Sequence, residues 1–544
     1  VSDGAVTITK YTGAGGDVTV PETIDGMAVT VIGESAFREV DSVKRVVIPE
    51  GVTKIEAGAF GNCIQLAEVN LPSTLTEIGA HAFYNCDLIT NIYIPKKLQK
   101  TNNAYIYEYA YGYVYGPFYG CDGLKNVTFE EGTTIIANGL FSNCPGLEEI
   151  VIPDTVTEIG SEAFYNDTNL REVEFGENIN VIRSSAFGKC GQLTKVEMKD
   201  QVEKMEAGIF AKCTELTSVR LSKSLKEIGA HSFFDCDKLT SVEIPKSLEK
   251  TTDAYIYEYA YGYVYGPFYG CDGLKNIIFE EGTTSIANGL FENCPGIEEL
   301  VIPDTVTAIK ANAFKNCAGL VKADLSVPSL TIEKEAFRLD ASLSEVKMPE
   351  QLDYLGAAAF CRCTALTSIE IPTGLEKAAD EYDYTGAFAE SGIREVIFAE
   401  GVTEIASRLF KDVSTIKEIV IPDGVTHIGA YAFENMQSLD TIHIPKSVTE
   451  IDRDILYRSE NATIYCNANS DILEYALDNG YMFSVIDWDS YEPNVLNKQE
   501  SFYTANSEAQ SGFMDMIVHY ALKEEAADKI EDKEISVFLP SNLQ

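Results

Sequence analysis

The amino-acid sequence predicts a β-rich (α/β) solenoid, a right-handed superhelix of about 18 coils with capping ends. Three observations support this prediction: phenylalanine recurs at a fixed interval, each interval contains an alternating apolar segment, and both ends depart from the pattern. Twelve of the 16 gaps between successive anchor phenylalanines are 23 residues long, and the others are 35, 35, 28 and 22. The anchors are Phe37, Phe60, Phe83, Phe118, Phe141, Phe164, Phe187, Phe210, Phe233, Phe268, Phe291, Phe314, Phe337, Phe360, Phe388, Phe410 and Phe433.

Each 23-residue unit combines a strand pattern with turn signals. In residues 66–71 apolar and polar residues alternate, as in a strand with one buried face. Proline follows at Pro72, and at equivalent positions such as Pro153, where it ends the strand and begins a turn. A Val-Thr-x-Ile-Gly segment, an Ala-Phe pair and an Asn-Cys pair complete the unit. A single unit cannot bury these apolar side chains alone, so stacked coils must share one core.

These motifs resemble the BspA-like leucine-rich-repeat family, whose pattern appears here in Leu147–Pro153, Val156–Gly160 and Ala163-Phe164. The match spans roughly residues 27 to 460. Residues 3–26 and 462–487 also resemble the caps of that family, and a short helix from about Ser470 to Asn479 would cover the last coil. The resemblance implies a bacterial secreted or cell-surface protein used for adhesion and host contact.

Four segments follow from this organisation. We predict an N-terminal cap at 1–28, a leucine-rich-repeat solenoid at 29–458 with tyrosine-rich insertions at 101–117 and 251–267, and a C-terminal cap at 459–487. Residues 488–544 leave the repeat and read as a linker with a small accessory or truncated module. The chain begins at Val1 without a targeting segment, which we expect to have been removed.

The 13 cysteines follow the repeat more closely than any metal-binding or disulfide pattern. Eleven lie three residues after an anchor phenylalanine, and only Cys361 and Cys466 are out of register. Equivalent Cβ atoms on stacked coils would be about 4.8 Å apart, whereas a disulfide requires about 3.8 Å. The single Cys-x-Cys motif, at 361–363, is a weak zinc signal. The pattern favours a ladder of buried free thiols, with disulfides or metal as the alternatives.

The two tyrosine-rich insertions are the candidate binding site. Residues 101–120 and 251–270 differ at only two of 20 positions, which indicates a recent duplication. In an extended chain, alternate tyrosines would place six rings on one face, where they could bind sugars or proteins. The alternative is that the rings pack against neighbouring coils. The candidate ligand-binding residues are Tyr105, Tyr107, Tyr109, Tyr111, Tyr113, Tyr115, Tyr255, Tyr257, Tyr259, Tyr261, Tyr263 and Tyr265.

Charge and motif content argue against several classes of function. A net charge of −42 disfavours binding to nucleic acid or anionic lipid, and no apolar stretch is long enough to span a bilayer. No catalytic motif is present, and His81 and His231 occupy the same repeat position, so no catalytic residue, metal or cofactor is predicted. We therefore expect a monomeric, non-enzymatic, secreted or cell-surface scaffold that binds a host or neighbouring-cell protein or glycan. The alternatives are a polysaccharide-acting enzyme and a structural spacer that presents another module.

Overall fold

The structure is a computed structural model that describes residues 5–102, 116–252, 266–375, 378 and 385–486. The described chain is a parallel β-solenoid of about 19 turns with little helix, against the predicted number of about 18. It divides into two compact units. Unit 1 comprises Val1–Val306 and Asn312–Leu320, and unit 2 comprises Thr307–Ala311 and Val321–Gln544.

Unit 1 contains 25 of the described strands. They are β1 Ala5–Ile8, β2 Gly16–Thr19, β3 Thr23–Ile24, β4 Met27–Ile32, β5 Val43–Val47, β6 Lys54–Ile55, β7 Glu68–Asn70, β8 Glu77–Gly79, β9 Asn91–Ile94, β10 Lys100–Asn102, β11 Asn126–Phe129, β12 Ile135–Ile136, β13 Glu149–Val151, β14 Glu158–Ile159, β15 Glu172–Glu174, β16 Val181–Ile182, β17 Lys195–Glu197, β18 Lys204–Met205, β19 Ser218–Arg220, β20 Glu227–Gly229, β21 Ser241–Ile244, β22 Lys250–Thr252, β23 Asn276–Phe279, β24 Ser285–Ile286 and β25 Glu299–Val301.

Each coil of unit 1 contributes one strand to each of two parallel series. From β5 onwards, the odd-numbered strands form the long-strand face, and from β4 the even-numbered strands form the short-strand face. Strands pair one coil apart, as in the register Ile150↔Val173 on the long-strand face and Ile159↔Ile182 on the short-strand face. Among the described strands, the only antiparallel pair is β3 with β4.

The predicted alternation of buried and exposed residues is confirmed on the long-strand face. In β13, Ile150 is buried, whereas Glu149 and Val151 on either side of it are exposed. Successive side chains of a strand point to opposite faces, so the apolar residue enters the core and its neighbours face solvent. The two-residue short strands likewise bury one side chain, such as Ile159 of β14.

The anchor phenylalanines form a continuous stack inside each unit. In unit 1 the ring centroids of Phe164 and Phe187 are 5.1 Å apart, and those of Phe187 and Phe210 are 5.5 Å apart. In unit 2 Phe337 and Phe360 stack at 5.0 Å. All of these rings are buried. The 23-residue interval is therefore the distance along the chain between rings that touch in space.

The turn around most anchors has two residues in the left-handed backbone region, two positions before and two positions after the phenylalanine, whereas Phe118, Phe268 and Phe388 have only the second of these. Around Phe233 these are His231, with φ 58°, and Asp235, with φ 54°. One coil earlier the residue before the anchor is Gly208, with φ 68°. Glycine adopts this conformation without steric cost, whereas other residues are strained there. The sequence pattern did not reveal this requirement.

Unit 2 contains the remaining described strands and the one described helix. The strands are β26 Ala308–Ile309, β27 Lys322–Asp324, β28 Ser329–Ile332, β29 Glu345–Lys347, β30 Gln351–Leu355, β31 Ser368–Ile371, β32 Glu395–Phe398, β33 Glu404–Ile405, β34 Glu418–Val420, β35 His427–Ile428, β36 Thr441–His443, β37 Glu450–Ile451, β38 Thr463–Cys466 and β39 Met482–Val485.

The predicted C-terminal helix is confirmed as α1, Asp471–Asn479. It begins after Ser470 and ends at Gly480, whose φ of 72° turns the chain away from the helix. Ile472 and Ala476 are buried, so one face of α1 packs against the solenoid. The strand β39 then pairs in parallel with β38, continuing that sheet by one strand.

Candidate functional site

The twelve tyrosines predicted to bind a ligand lie outside the described residues, so their role stays a prediction. They are Tyr105, Tyr107, Tyr109, Tyr111, Tyr113, Tyr115, Tyr255, Tyr257, Tyr259, Tyr261, Tyr263 and Tyr265. The structure does describe the two points at which each insertion leaves and rejoins the solenoid, and both insertions belong to unit 1.

Both insertions leave the solenoid at the same structural position. The strands β10 and β22 precede them, and each is the last strand of its short-strand sheet. In place of pairing with a further strand, a threonine side chain of each strand forms a hydrogen bond to the next coil. Thr101 Oγ1 donates to the backbone oxygen of Asn138 at 2.7 Å, and Thr251 Oγ1 donates to that of Asn288 at 2.6 Å. The two copies are therefore mounted on equivalent supports.

Both insertions rejoin the solenoid at a glycine that no other residue could replace without movement. A Cβ atom on Gly116 would lie 1.7 Å from the backbone oxygen of Gly139, and one on Gly266 would lie 1.8 Å from that of Gly289. The oxygen of Gly116 also accepts a hydrogen bond of 3.1 Å from the N–H of His81. The ends of each insertion are thus fixed against neighbouring coils.

A cluster of one histidine and two aromatic side chains lies near the glycine at which each insertion rejoins the solenoid. In the first copy the ring of His81 is 4.8 Å from that of Tyr84 and 5.9 Å from that of Tyr119. Burial, with a smaller contribution from the charge of Arg38, lowers the pKa of His81 to about 4. His81 is therefore neutral near pH 7. The counterpart group in the second copy is His231, Phe234 and Tyr269.

The end of the first short-strand sheet leaves an open cleft of about 310 Å³ between β10 and β12. Two carboxylates line it, Glu77 and Glu158. Glu77 forms an ion pair of 3.1 Å with Lys54, and Glu158 forms one of 2.9 Å with Arg183. The remaining lining is mainly amide, hydroxyl and small apolar groups, from Gln99, Lys100, Thr101, Asn102, Ile135, Ala137 and Asn138.

The predicted ladder of free thiols is confirmed. All 13 cysteines are buried and none forms a disulfide, and the described residues contain no cluster suited to a metal ion. Each of the eleven cysteines in register donates from Sγ to the backbone oxygen of the anchor phenylalanine one coil earlier, at 3.0–3.3 Å. Burial raises the pKa of ten of these thiols, for example to about 11 at Cys63. The ladder is therefore structural, since reactive cysteines need a lowered pKa.

The repeat pattern also decides the family. The family described as the BspA type leucine rich repeat region matches in six copies, over residues 27–112, 115–214, 265–382, 330–463 and 381–487. The chain belongs to this family. Proteins with leucine-rich repeats of this kind are generally non-enzymatic binding scaffolds. No curated protein matches the chain. Within the described residues, no helix has the length and apolarity needed to cross a membrane.

Several solved leucine-rich-repeat structures are similar to this chain. A leucine-rich repeat protein from Bacteroides ovatus is 20% identical, with 90% of this chain and 97% of that chain covered and a TM-score of 0.43. A T. pallidum leucine-rich repeat protein is 28% identical over 39% of this chain and 83% of that chain, with a TM-score of 0.28. A leucine rich cell surface protein from Faecalibacterium prausnitzii is 20% identical over 92% and 96%, with a TM-score of 0.27.

Sequence reasoning missed the residues that hold the insertions in place. Thr101 and Thr251 look like ordinary strand residues, and only the structure shows that their hydroxyl groups replace a backbone pairing. The glycines had a visible signal, because Gly-Pro-Phe occurs at 116–118 and again at 266–268. A glycine directly before a proline and an anchor phenylalanine could have indicated a close backbone approach.

Proposed function

We propose that this leucine-rich-repeat protein is a non-enzymatic, secreted or cell-surface scaffold that recognises a protein or glycan through its two tyrosine-rich insertions. One observation carries the proposal: two nearly identical insertions stand on equivalent supports, each held by a threonine bridge at one end and a close-packed glycine at the other. Tyrosine offers a large contact area and a hydroxyl group at little entropic cost, which suits such a surface. The family also consists of bacterial surface proteins, which supports the location.

The spacing of the two insertions favours a repetitive ligand. Phe118 and Phe268 are 150 residues apart, which is five steps of 23 residues and one of 35, or six coils. Six coils at about 4.8 Å each separate the supports by roughly 29 Å within unit 1. Two equal sites can raise avidity by about 10²- to 10⁴-fold when one ligand spans both. Glycans and fibrous matrix proteins have the required repetition.

A screen of the purified chain against glycan and extracellular-matrix arrays would test the proposal. For each ligand found, Tyr107, Tyr109, Tyr111 and Tyr113 would be replaced by Ser in one copy, and Tyr257, Tyr259, Tyr261 and Tyr263 in the other. We expect strong weakening from either set and loss of binding from both. Surface residues Tyr457→Ser and Tyr431→Ser in unit 2 are the matched control and should leave binding unchanged. Unchanged binding by the doubly substituted chain would contradict the proposal.

A further inference from the structure

The long-strand face of unit 1 exposes large apolar side chains at a few adjacent positions. Tyr93, Val151, Ile278 and Val301 point outward and are 51, 58, 55 and 67% exposed. In the coils between Val151 and Ile278 the same outward position is charged, with Glu174, Glu197, Arg220 and Glu243. Local apolar clusters on an otherwise polar surface mark interaction sites.

These residues form two patches that correspond to each other in the duplicated block. Patch A consists of Tyr93, Thr128 and Val151 on three successive coils, with Tyr93 and Thr128 directly opposite in the β9–β11 register. Patch B consists of Ile278 and Val301 on two successive coils. Thr128 and Ile278 are 150 residues apart, as are Val151 and Val301, so both patches occupy the same place in their copies.

Three glutamates border Patch A on the neighbouring strand positions. Glu149 lies opposite Glu172 in the β13–β15 register, and Val151 lies opposite Glu174. Within the described residues, none of these three glutamates forms an ion pair. By contrast, Glu197 on β17 is paired with Lys195 at 2.6 Å. Like charges directly opposite on neighbouring strands are destabilising. A bound cation would relieve that repulsion.

Patch B is also bordered by glutamates, although Lys322 and Asp324 occupy the positions that correspond to Glu172 and Glu174. Glu299 lies two residues before Val301 on the same strand, and Glu243 lies opposite Ile278 in the β21–β23 register. Neither glutamate forms an ion pair among the residues that the structure describes. Exposed apolar groups bordered by unpaired carboxylates therefore occur twice in unit 1.

We propose that Patches A and B bind a cationic amphipathic peptide, with apolar side chains on the patches and lysine or arginine side chains at the bordering glutamates. Charge complementarity selects this partner, because an apolar segment bordered by cations matches both features of each patch. Long cationic side chains can cover apolar surface while their charged ends reach the carboxylates. The proposal goes beyond the tyrosine insertions, since it uses only strand residues.

A helical peptide of Leu and Lys, with a leucine stripe bordered by lysines, is a suitable probe. Its affinity for the full chain would be measured by fluorescence anisotropy at several salt concentrations. The pair Val151→Ser and Val301→Ser should weaken binding about tenfold. The triple variant Glu149→Gln, Glu172→Gln and Glu174→Gln should also weaken binding and should reduce its salt dependence.

Matched controls separate this surface from general attraction between opposite charges. The triple variant Glu22→Gln, Glu34→Gln and Glu249→Gln removes the same charge at exposed positions outside the strands that carry the patches, and should change the affinity less than twofold, by about 0.4 kcal/mol or less. A Ser/Lys peptide and a Leu/Glu peptide should bind at least about tenfold more weakly than the Leu/Lys peptide.

The proposal is wrong if the Leu/Lys peptide fails to bind, if either control peptide binds as tightly, or if the control triple weakens binding as much as the patch variants. It is also wrong if the patch variants bind like the parent. The tyrosine-to-serine variants of both insertions should retain the peptide. Loss of the array ligands with retention of the peptide therefore tests the insertions independently of the patches.

Discussion

The Oδ1 atom of Asp167 accepts a hydrogen bond of 2.6 Å from the backbone N–H of Cys144, at a position where most coils carry a thiol. Asp167 is fully buried in the ladder between Cys144 and Cys190. Its Oδ2 atom has no hydrogen-bond partner among the described residues. Burial raises the pKa of the Asp167 carboxyl well above its usual range. The folded state therefore favours the protonated acid.

We predict that Asp167→Asn makes the protein more stable at pH 8 than the parent. Because the folded pKa is raised above the unfolded value of about 3.9, the contribution of Asp167 to stability is highest below about pH 4 and falls as pH rises towards the folded pKa. The uncharged amide removes that loss. Denaturant unfolding at pH 5 and pH 8 would measure the difference, with the exposed Asp304→Asn as the control for charge. A variant less stable than the parent at pH 8 would contradict this account.

Phe187→Ala should lower the free energy of unfolding by about 3–5 kcal/mol, because it leaves a cavity in the aromatic stack. The ring of Phe187 contacts those of Phe164 at 5.1 Å and Phe210 at 5.5 Å, and meets Phe175 edge-on at 5.6 Å. The exposed Ile64→Ala should cost less than about 0.5 kcal/mol. Equal losses in the two variants, measured by denaturant unfolding, would show that the stack is not the source of stability.

Gly116→Ala should destabilise unit 1 strongly, because the added Cβ would lie 1.7 Å from the backbone oxygen of Gly139. The coil must move to accept it, at a cost of about 2 kcal/mol or more. Gly191→Ala is the matched control, since its Cβ would be 3.9 Å from the nearest atom, in Thr214. Hydrogen exchange should show increased local opening around the insertion for Gly116→Ala alone. Similar exchange in both variants would argue against the close-packed junction.

Acidification should weaken unit 1 through the half-buried His81 and the buried His231. Burial lowers the pKa of His231 to about 4, and that of His81 also falls to about 4. Since these folded pKa values lie below the unfolded value of about 6.5, the stability contribution is complete above pH 6.5 and is lost as pH falls towards 4. The double variant His81→Asn and His231→Asn should lose less stability than the parent between pH 7 and pH 5. Asparagine also tolerates the left-handed backbone at both positions.

His427 provides a control of opposite sign. Hydrogen bonds to Glu404 and Asp452 outweigh its partial burial and raise the pKa of His427. Its contribution is therefore present below the unfolded pKa and is lost as pH rises through the folded pKa. His427→Asn should make the protein more sensitive to acid, not less. If the stability of both sets of histidine variants depended on pH in the same way, the opposite pKa shifts assigned to these histidines would be wrong.

All 13 cysteines should react as free thiols once the protein is denatured without reductant. In the native protein they should react slowly, because burial excludes the reagent and raises the pKa of thiols such as Cys63 and Cys213. Cys213→Ser tests the hydrogen bond of each thiol, because Ser459 already makes the equivalent bond, to the oxygen of Phe433, at 2.7 Å. We expect Cys213→Ser to be better tolerated than Cys213→Asp. Detection of several disulfides would overturn the ladder.

The periodic features were predictable because each coil contacts chiefly its neighbours, so a repeated contact appears as a repeated residue. The anchor phenylalanines, the alternating strand residues, the thiol positions and the helix Asp471–Asn479 all followed from spacing and residue type. The resemblance carried by the same motifs identified the family. In each case the residue type and its spacing indicated the structural environment of the residue.

What only the tertiary structure decided depends on atoms supplied by the neighbouring coil. The close approach of Gly116 to Gly139, the bridge from Thr101 to Asn138 and the burial of Asp167 are invisible in a single repeat. The same holds for the exposure of Val151 beside unpaired glutamates. A pKa, a steric limit or an exposed patch is set by distances between residues that the sequence separates by 23 to 37 positions, and those distances exist only after the coils have stacked.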